Sequence, residues 1–206
     1  MRFSYLAYAF EIILRNFGFI ILTPIIFSIY YKEYSSIIPF IITASISIII
    51  ALLLRFLNKN NNIENLNDIK KNEGLFIVAM SWVVAGIIAS LPYMFYGMSP
   101  IDALFESASG ITTTGATICS GVDYPHAIYF WRALTQWLGG MGIIVLFIAI
   151  LPQFAVAGRQ MFYAEMPGPS EEKFTPRVRN TASALWKVYT VLTIVLTLFL
   201  TLAGMV

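Results

Sequence analysis

Residues 99–117, in the centre of the chain, read SPIDALFESASGITTTGAT. The architecture of the whole chain can be inferred from this segment and the residues on either side of it. Ser99 is predicted as a helix N-cap, Pro100 suits the first helical position, and Asp102 completes a Ser-x-x-Asp capping box. Gly110 is predicted as the C-cap glycine of the same helix. A helix of about ten residues is too short to cross a bilayer. Between two spanning segments, it is predicted to be re-entrant.

Apolar stretches on both sides of this segment are each long enough to span a membrane, which takes about 20 residues. They are residues 5–30, 37–57, 75–96, 127–151 and 184–206. Of the 206 residues, 58% are hydrophobic and 12% are charged, whereas soluble domains carry about a quarter charged residues. We therefore expect an all-α integral membrane protein. It would have two N-terminal spanning helices, one helix–pore loop–helix unit and the first helix of a second unit.

Polar connections divide the chain into the following expected regions. They are two extra N-terminal transmembrane helices (1–57), a cytoplasmic loop (58–73), the helix–pore loop–helix unit (74–152), a cytoplasmic connector (153–183) and the first helix of a second, incomplete unit (184–206).

Lys and Arg indicate the orientation in the membrane because they are enriched in cytoplasmic segments. With the N-terminus inside, the outer segments contain Lys32 alone. The inner segments then contain Arg2, Arg55, Lys59, Lys70, Lys71, Arg159, Lys173, Arg177, Arg179 and Lys187. We therefore predict a multi-pass protein of the cell membrane with a cytoplasmic N-terminus.

Composition excludes several classes of function. A single cysteine, Cys119, and a single histidine, His126, exclude an internal disulfide, a cysteine-built zinc site and a histidine-rich metal site. Enzymes with a histidine-dependent nucleophile or metal are mostly excluded too, so no enzymatic activity is expected. A net charge of +2 is too small to indicate a nucleic-acid partner.

The loop after the short helix carries the predicted chemistry. The C-terminus of a helix has about half a negative charge, so an ion held there would be a cation. Potassium filters use extended Thr- and Gly-containing loops whose carbonyl oxygens replace the hydration shell. We expect the backbone carbonyls of Thr113 and Thr114, with those of Thr112 and Gly115, to coordinate potassium. The alternative is a polar outer turn with no ligand.

The segment that follows supplies the expected structural support. Arg132 lies within a predicted span and must find a partner, either an acid such as Glu106 or carbonyls of the loop. Trp131, with Tyr129 and Trp137, is expected in an interfacial aromatic belt. The glycines from Gly139 onward favour close helix packing or a hinge.

Three motifs resemble those of the Trk/Ktr/HKT potassium transporter superfamily. Residues 103–117, ALFESASGITTTGAT, are similar to its first pore loop. Residues 130–145, FWRALTQWLGGMGIIV, resemble the next helix of the Trk-type membrane subunit, TrkH. Residues 164–169, AEMPGP, together with residues 175–177, TPR, resemble the cytoplasmic connector of the same subunit. These motifs extend over roughly residues 73–187.

The resemblance implies helix–pore loop–helix units, each supplying a quarter of a filter around a central pathway, preceded by two extra helices. It places the potassium contacts on the backbone of Thr113 and Thr114, next to Gly115. It also implies a homodimer that works with a cytoplasmic nucleotide-binding regulatory subunit of the TrkA type. On this basis we expect the N-terminal portion of a potassium uptake subunit, with potassium as the transported ion.

Length leaves an alternative open. Members of the family carry four units in one chain, whereas this sequence contains one complete unit, residues 75–151, and the opening helix of a second. We expect a fragment of a longer subunit. The alternative is a non-conducting membrane or regulatory protein that retains a single pore-loop unit.

Overall fold

The computed structural model of the chain describes residues 2–59, 71–119, 123–142 and 174–204. All regular structure in these residues is helical. The elements are α1 (Phe3–Ile21), α2 (Pro24–Tyr30), a 3-10 turn (Tyr34–Ser36), α3 (Ile37–Leu57), α4 (Lys71–Met94), α5 (Pro100–Ile111), α6 (helical over 126–142) and α7 (Phe174–Leu202). The chain divides into two compact units, residues 1–139 and 140–206.

Four stretches of the described residues are long and apolar enough to cross a membrane: Phe3–Tyr30, Tyr34–Leu57, Asn72–Met94 and Thr181–Leu202. They coincide with four of the five predicted spans. The remaining prediction, residues 127–151, lies partly outside the described residues, and its described part is helical. The all-helical, multi-pass membrane architecture is confirmed.

The first span is interrupted by a short turn. Leu22 and Thr23 separate α1 from α2, and Pro24 starts the second helix at a position where its missing N–H leaves no helical hydrogen bond unmade. The Thr23 hydroxyl donates to the carbonyl of Ile20 at 2.8 Å, which satisfies an acceptor at the end of α1.

The N-terminal helices pack closely through small residues. A side chain at Gly18 of α1 would place its Cβ 2.7 Å from Ile48 Cγ1 of α3, so the glycine allows the close approach. The Ser47 hydroxyl of α3 donates to the Leu14 carbonyl at 2.7 Å. In α1, Arg15 Nη1 lies 2.8 Å from Glu11 Oε1, a helical ion pair of the i, i+4 type.

Trp131 of α6 joins this core instead of the membrane interface. Its side chain is fully buried, with ring centroids 6.0 Å from Phe17 and 6.2 Å from Phe40. Its indole Nε1 donates to the Ala89 carbonyl at 3.0 Å. The prediction of an interfacial Trp131 was therefore wrong, because a tryptophan whose N–H finds a buried acceptor can contribute its whole ring to a core. Tyr129 is exposed, as an interfacial residue should be.

The long helix of the second unit is α7. Its apolar side chains between Val188 and Leu202 are largely exposed. Its threonines bond back to their own helix, as where Thr190 Oγ1 donates to the Trp186 carbonyl at 2.8 Å. A helix whose hydroxyl groups are hydrogen-bonded to its own carbonyls, and whose aliphatic side chains are exposed, is suited to an apolar environment.

Candidate ion-binding site

The short helix α5 begins as its sequence predicts. Ser99 has an extended backbone and its hydroxyl oxygen accepts from the Asp102 N–H at 3.2 Å. The same hydroxyl donates to Asp102 Oδ2 at 2.7 Å. Pro100 is the first helical residue. These contacts fix the residue at which α5 starts.

The end of α5 differs from the prediction. Gly110 is not the C-cap, because the helix continues to Ile111. The Thr113 N–H donates to the Gly110 carbonyl at 2.9 Å, and the Thr114 N–H donates to the Ser109 carbonyl at 3.0 Å. This bond pair is a Schellman motif, in which the residue with left-handed backbone is usually glycine. Here it is Thr113, with φ 58°.

Gly110 instead allows α5 to contact α6. A Cβ at this position would lie 2.8 Å from Thr135 Oγ1. One turn further along α6, a Cβ at Gly139 would lie 1.9 Å from the Ile111 carbonyl oxygen. The expected close packing at Gly139 is therefore present. The backbone of α6 rests directly against the last turn of α5, so the loop that starts there has a fixed origin.

The threonine-rich loop is exposed from Thr112 onward, and its carbonyl oxygens fall into two groups. The Thr112 carbonyl accepts from Thr113 Oγ1 at 2.7 Å, and the Gly115 carbonyl accepts from Arg132 Nη2 at 3.2 Å. Across the described residues, no donor reaches the carbonyl oxygens of Thr113 or Thr114. Two of the four predicted ligands therefore have carbonyl oxygens that accept no hydrogen bond from the described residues.

Gly115 turns the chain after these two carbonyls. Its φ is +78°, in the left-handed region that L side chains rarely adopt. A Cβ added there would lie 4.0 Å from Gln136 Nε2, which is an ordinary contact. The requirement for glycine at this position thus comes from the backbone and not from lack of space.

Glu106 anchors the second half of the loop from inside α5. Its carboxylate is fully buried and accepts from Thr117 Oγ1 at 2.9 Å and from the Ile118 N–H at 3.0 Å. It also accepts from Arg132 Nε of α6. A buried carboxylate is costly unless it is paired and hydrogen-bonded, and these three donors meet that requirement.

Arg132 extends this anchor to the loop backbone. Its Nη2 donates to the carbonyls of Gly115 at 3.2 Å and Ala116 at 3.1 Å, while its Nε contacts Glu106. The structure thus brings the acid, the cation and the loop carbonyls together in one network. The planar guanidinium, with donors in fixed directions, can bind an acid and two carbonyls at once.

Two hydroxyl groups of α5 were missed by the sequence reasoning. Ser109 Oγ donates to the Ala116 carbonyl at 2.5 Å, and Ser107 Oγ donates to the Gly86 carbonyl of α4 at 2.7 Å. The two serines, alternating with small residues in a short helix, were the available signal. The pattern does not say which serine faces the loop.

His126 also has a contact that was not predicted. Its backbone N–H donates to Glu33 Oε2 at 2.9 Å, and its Nδ1 lies 2.7 Å from Glu33 Oε1. Its ring stacks on Tyr31 with centroids 3.8 Å apart. The first residue of α6 is thereby attached to the turn after α2.

Comparisons with known proteins agree with this architecture. The sequence model of the TrkH family, described as a cation transport protein, matches residues 36–205. The Trk system potassium uptake protein TrkH of Halomonas elongata is 39% identical over 199 residues, covering 94% of this chain and 40% of that protein. The TrkH protein of Escherichia coli K12 is 49% identical over 143 residues, covering 67% of this chain and 30% of that protein.

A solved structure shares the fold over the whole chain. It is the crystal structure of the potassium transporter TrkH from Vibrio parahaemolyticus, with a TM-score of 0.81 and 35% sequence identity. The match covers 100% of this chain and 41% of that one. The chain thus spans less than half the length of these relatives.

Proposed function

Because the chain belongs to the TrkH family of cation transport proteins, we propose that it is part of a potassium uptake subunit, in which the loop around Thr113 and Thr114 supplies a quarter of a selectivity filter. Potassium would move down its electrochemical gradient with no covalent chemistry. The observation that carries this proposal is the pair of carbonyl oxygens, on Thr113 and Thr114, that no described donor reaches.

Unpaired carbonyls in a membrane protein need a partner. A non-helical backbone at membrane depth is tolerated only where protein or water satisfies it, since each unsatisfied group costs several kcal/mol. A dehydrated monovalent cation is such a partner, because carbonyl oxygens can replace its hydration shell. The C-terminal end of α5, with about half a negative charge, favours a cation at the same place.

The network of Arg132 and Glu106 would hold the loop in place without repelling the potassium ion. Arg132 would repel potassium if its charge were free, but its Nε contacts the buried Glu106 carboxylate. Its Nη2 donates to the Gly115 and Ala116 carbonyls. The Thr113 and Thr114 carbonyls would thus be presented from a fixed loop, and ion selectivity requires such fixed oxygen positions when it depends on cavity size.

The arrangement within the membrane and the partners form the rest of the proposal. The N-terminus would be cytoplasmic, with α5 entering from the outside and residues 58–73 and 153–183 on the inner face. The subunit would form a homodimer and work with a nucleotide-binding regulatory subunit of the TrkA type. The relatives are named as proteins of a Trk potassium uptake system, and this supports a transporter that works with partners.

The test is a comparison of two glycines in the complete transporter that contains this chain. Gly115 and Gly97 both have left-handed backbones, with φ +78° and +84°, and neither is crowded. Alanine at either position introduces the same backbone strain, but only Gly115 adjoins the proposed ligands. We expect Gly115→Ala to lower the preference for potassium over sodium in uptake assays, and Gly97→Ala to leave it unchanged. If Gly115→Ala keeps the potassium preference of the unmodified transporter, as Gly97→Ala should, the loop supplies no filter ligands and the non-conducting alternative is favoured.

A further inference from the structure

Ser109 lies between the two arms of the loop and contacts both. Its carbonyl accepts from the Thr114 N–H at 3.0 Å, on the arm that leads into Gly115. Its hydroxyl donates to the Ala116 carbonyl at 2.5 Å, on the arm that leads out. The residue is 5% exposed, so water does not compete strongly for these bonds.

The Ala116 carbonyl consequently has two donors. Besides Ser109 Oγ, it accepts from Arg132 Nη2 at 3.1 Å. A carbonyl oxygen has two lone pairs, so both are engaged. The neighbouring Thr113 and Thr114 carbonyls have no donor among the described residues. The loop therefore changes from free to fully engaged carbonyls within three residues.

We propose that Ser109 is a positioning residue for ion selection: its hydroxyl turns the Ala116 carbonyl away from the pathway, so that the ligand set ends before this residue. The inference rests on the proposed function of the loop. The physical reason is that selectivity depends on the number and placement of coordinating carbonyls. If Ala116 were released, its carbonyl would be free to rotate about the flexible Gly115 and add a ligand, or to distort the ring.

Arg132 alone does not perform this task. Its Nη2 is shared between the Gly115 and Ala116 carbonyls at 3.2 and 3.1 Å, whereas the Ser109 bond is shorter, at 2.5 Å. Ser109 also belongs to α5, the helix whose C-terminal partial negative charge favours a cation at the site. Its hydroxyl therefore keeps the loop in register with α5.

Ser107 provides a matched control. It lies on the same helix, is fully buried, and its hydroxyl also donates to a backbone carbonyl, that of Gly86 in α4 at 2.7 Å. Ser107→Ala removes an equivalent buried hydrogen bond without touching the loop. Any effect common to Ser107→Ala and Ser109→Ala is a general effect on stability.

The experiment measures potassium, rubidium and sodium uptake by the complete transporter that contains this chain, at matched amounts in the membrane. Loss of one hydrogen bond is expected to change ion preference by about fivefold to tenfold in Ser109→Ala. The change should fall on KM and on the potassium-to-sodium ratio, with a smaller effect on the maximal rate. Ser109→Thr, which keeps the hydroxyl, should restore the ratio, and Ser107→Ala should leave it unchanged.

The outcomes separate this proposal from the one on which it rests. If Gly115→Ala alters ion preference but Ser109→Ala behaves like Ser107→Ala, the positioning role is refuted and the filter stands. If neither Gly115→Ala nor Ser109→Ala alters ion preference, both are refuted. A change in Ser109→Ala that Ser109→Thr does not reverse also overturns the role of the hydroxyl.

Discussion

The contact between α5 and α6 at Gly110 makes a prediction that requires no transport assay. Gly110→Ala would place a methyl carbon 2.8 Å from Thr135 Oγ1. Thr135 is buried, and its hydroxyl donates to the Arg132 carbonyl at 2.8 Å, so it cannot rotate away without breaking that bond. The added methyl must therefore push the two helices apart or displace Thr135.

The expected magnitude follows from two opposing effects. Overpacking a well-packed core costs about 1–3 kcal/mol. Replacing glycine by alanine within a helix gains about 0.5–1 kcal/mol. Gly110→Ala should thus lower the free energy of unfolding by about 0.5–2 kcal/mol. Gly86→Ala in α4, where no other side chain lies within 4 Å of the new Cβ, should raise it by about 0.5–1 kcal/mol.

The assay is equilibrium unfolding of the purified chain in detergent, followed by tryptophan fluorescence, with a double-mutant cycle. Thr135→Ala removes the oxygen that clashes and leaves its Cβ 3.7 Å from the new methyl, an ordinary contact. The double variant Gly110→Ala with Thr135→Ala should therefore have a free energy of unfolding about 1–2 kcal/mol higher than the sum of the two single effects predicts. The reasoning is refuted if Gly110→Ala is as stable as Gly86→Ala, or if the two changes at the contact are additive.

Three further perturbations act on the same site. Glu106→Gln leaves the partly buried Arg132 without its counter-charge and should lower the free energy of unfolding by about 2–3 kcal/mol, measured by denaturant titration; a neutral effect would contradict the proposed anchor. Gly139→Ala would bring its Cβ within 1.9 Å of the Ile111 carbonyl oxygen and should cost about 3 kcal/mol or more, because backbone cannot move aside as a side chain can. Less loss of stability than in Gly110→Ala would show that this contact is looser than described. Thr113→Gly should raise the unfolding midpoint by an amount equivalent to about 1 kcal/mol, since the residue has φ 58° at a position that favours glycine; an unchanged or lower midpoint would argue against a left-handed residue there.

Much of the fold could be predicted because its signals are local. Uninterrupted apolar stretches indicate spans, and the capping box at Ser99 indicates where α5 begins. The end of α5 was harder to predict. The glycine at position 110 favours a cap by residue type alone, whereas in the structure it lies inside the helix and leaves space for Thr135, which is distant in sequence.

Burial and contact partners were the other source of error. Tryptophan is a residue type common at membrane interfaces, but Trp131 lies in the core because the Ala89 carbonyl is placed to accept its N–H. The contact of His126 with Glu33 could not be predicted either, because the two residues are distant in sequence. Such contacts cannot be derived from periodicity or spacing.

The sequence by itself determined the apolar spans, the short capped helix and the Thr-Thr-Thr-Gly segment that follows it, because hydropathy, length and capping act over a few neighbouring residues. Only the tertiary structure decided which carbonyls of that segment stay free. The donors that engage the Gly115 and Ala116 carbonyls come from Arg132 in α6 and from Ser109 in α5. The direction of a carbonyl is fixed by the donors that reach it in space, and their positions depend on how α5 packs against α6.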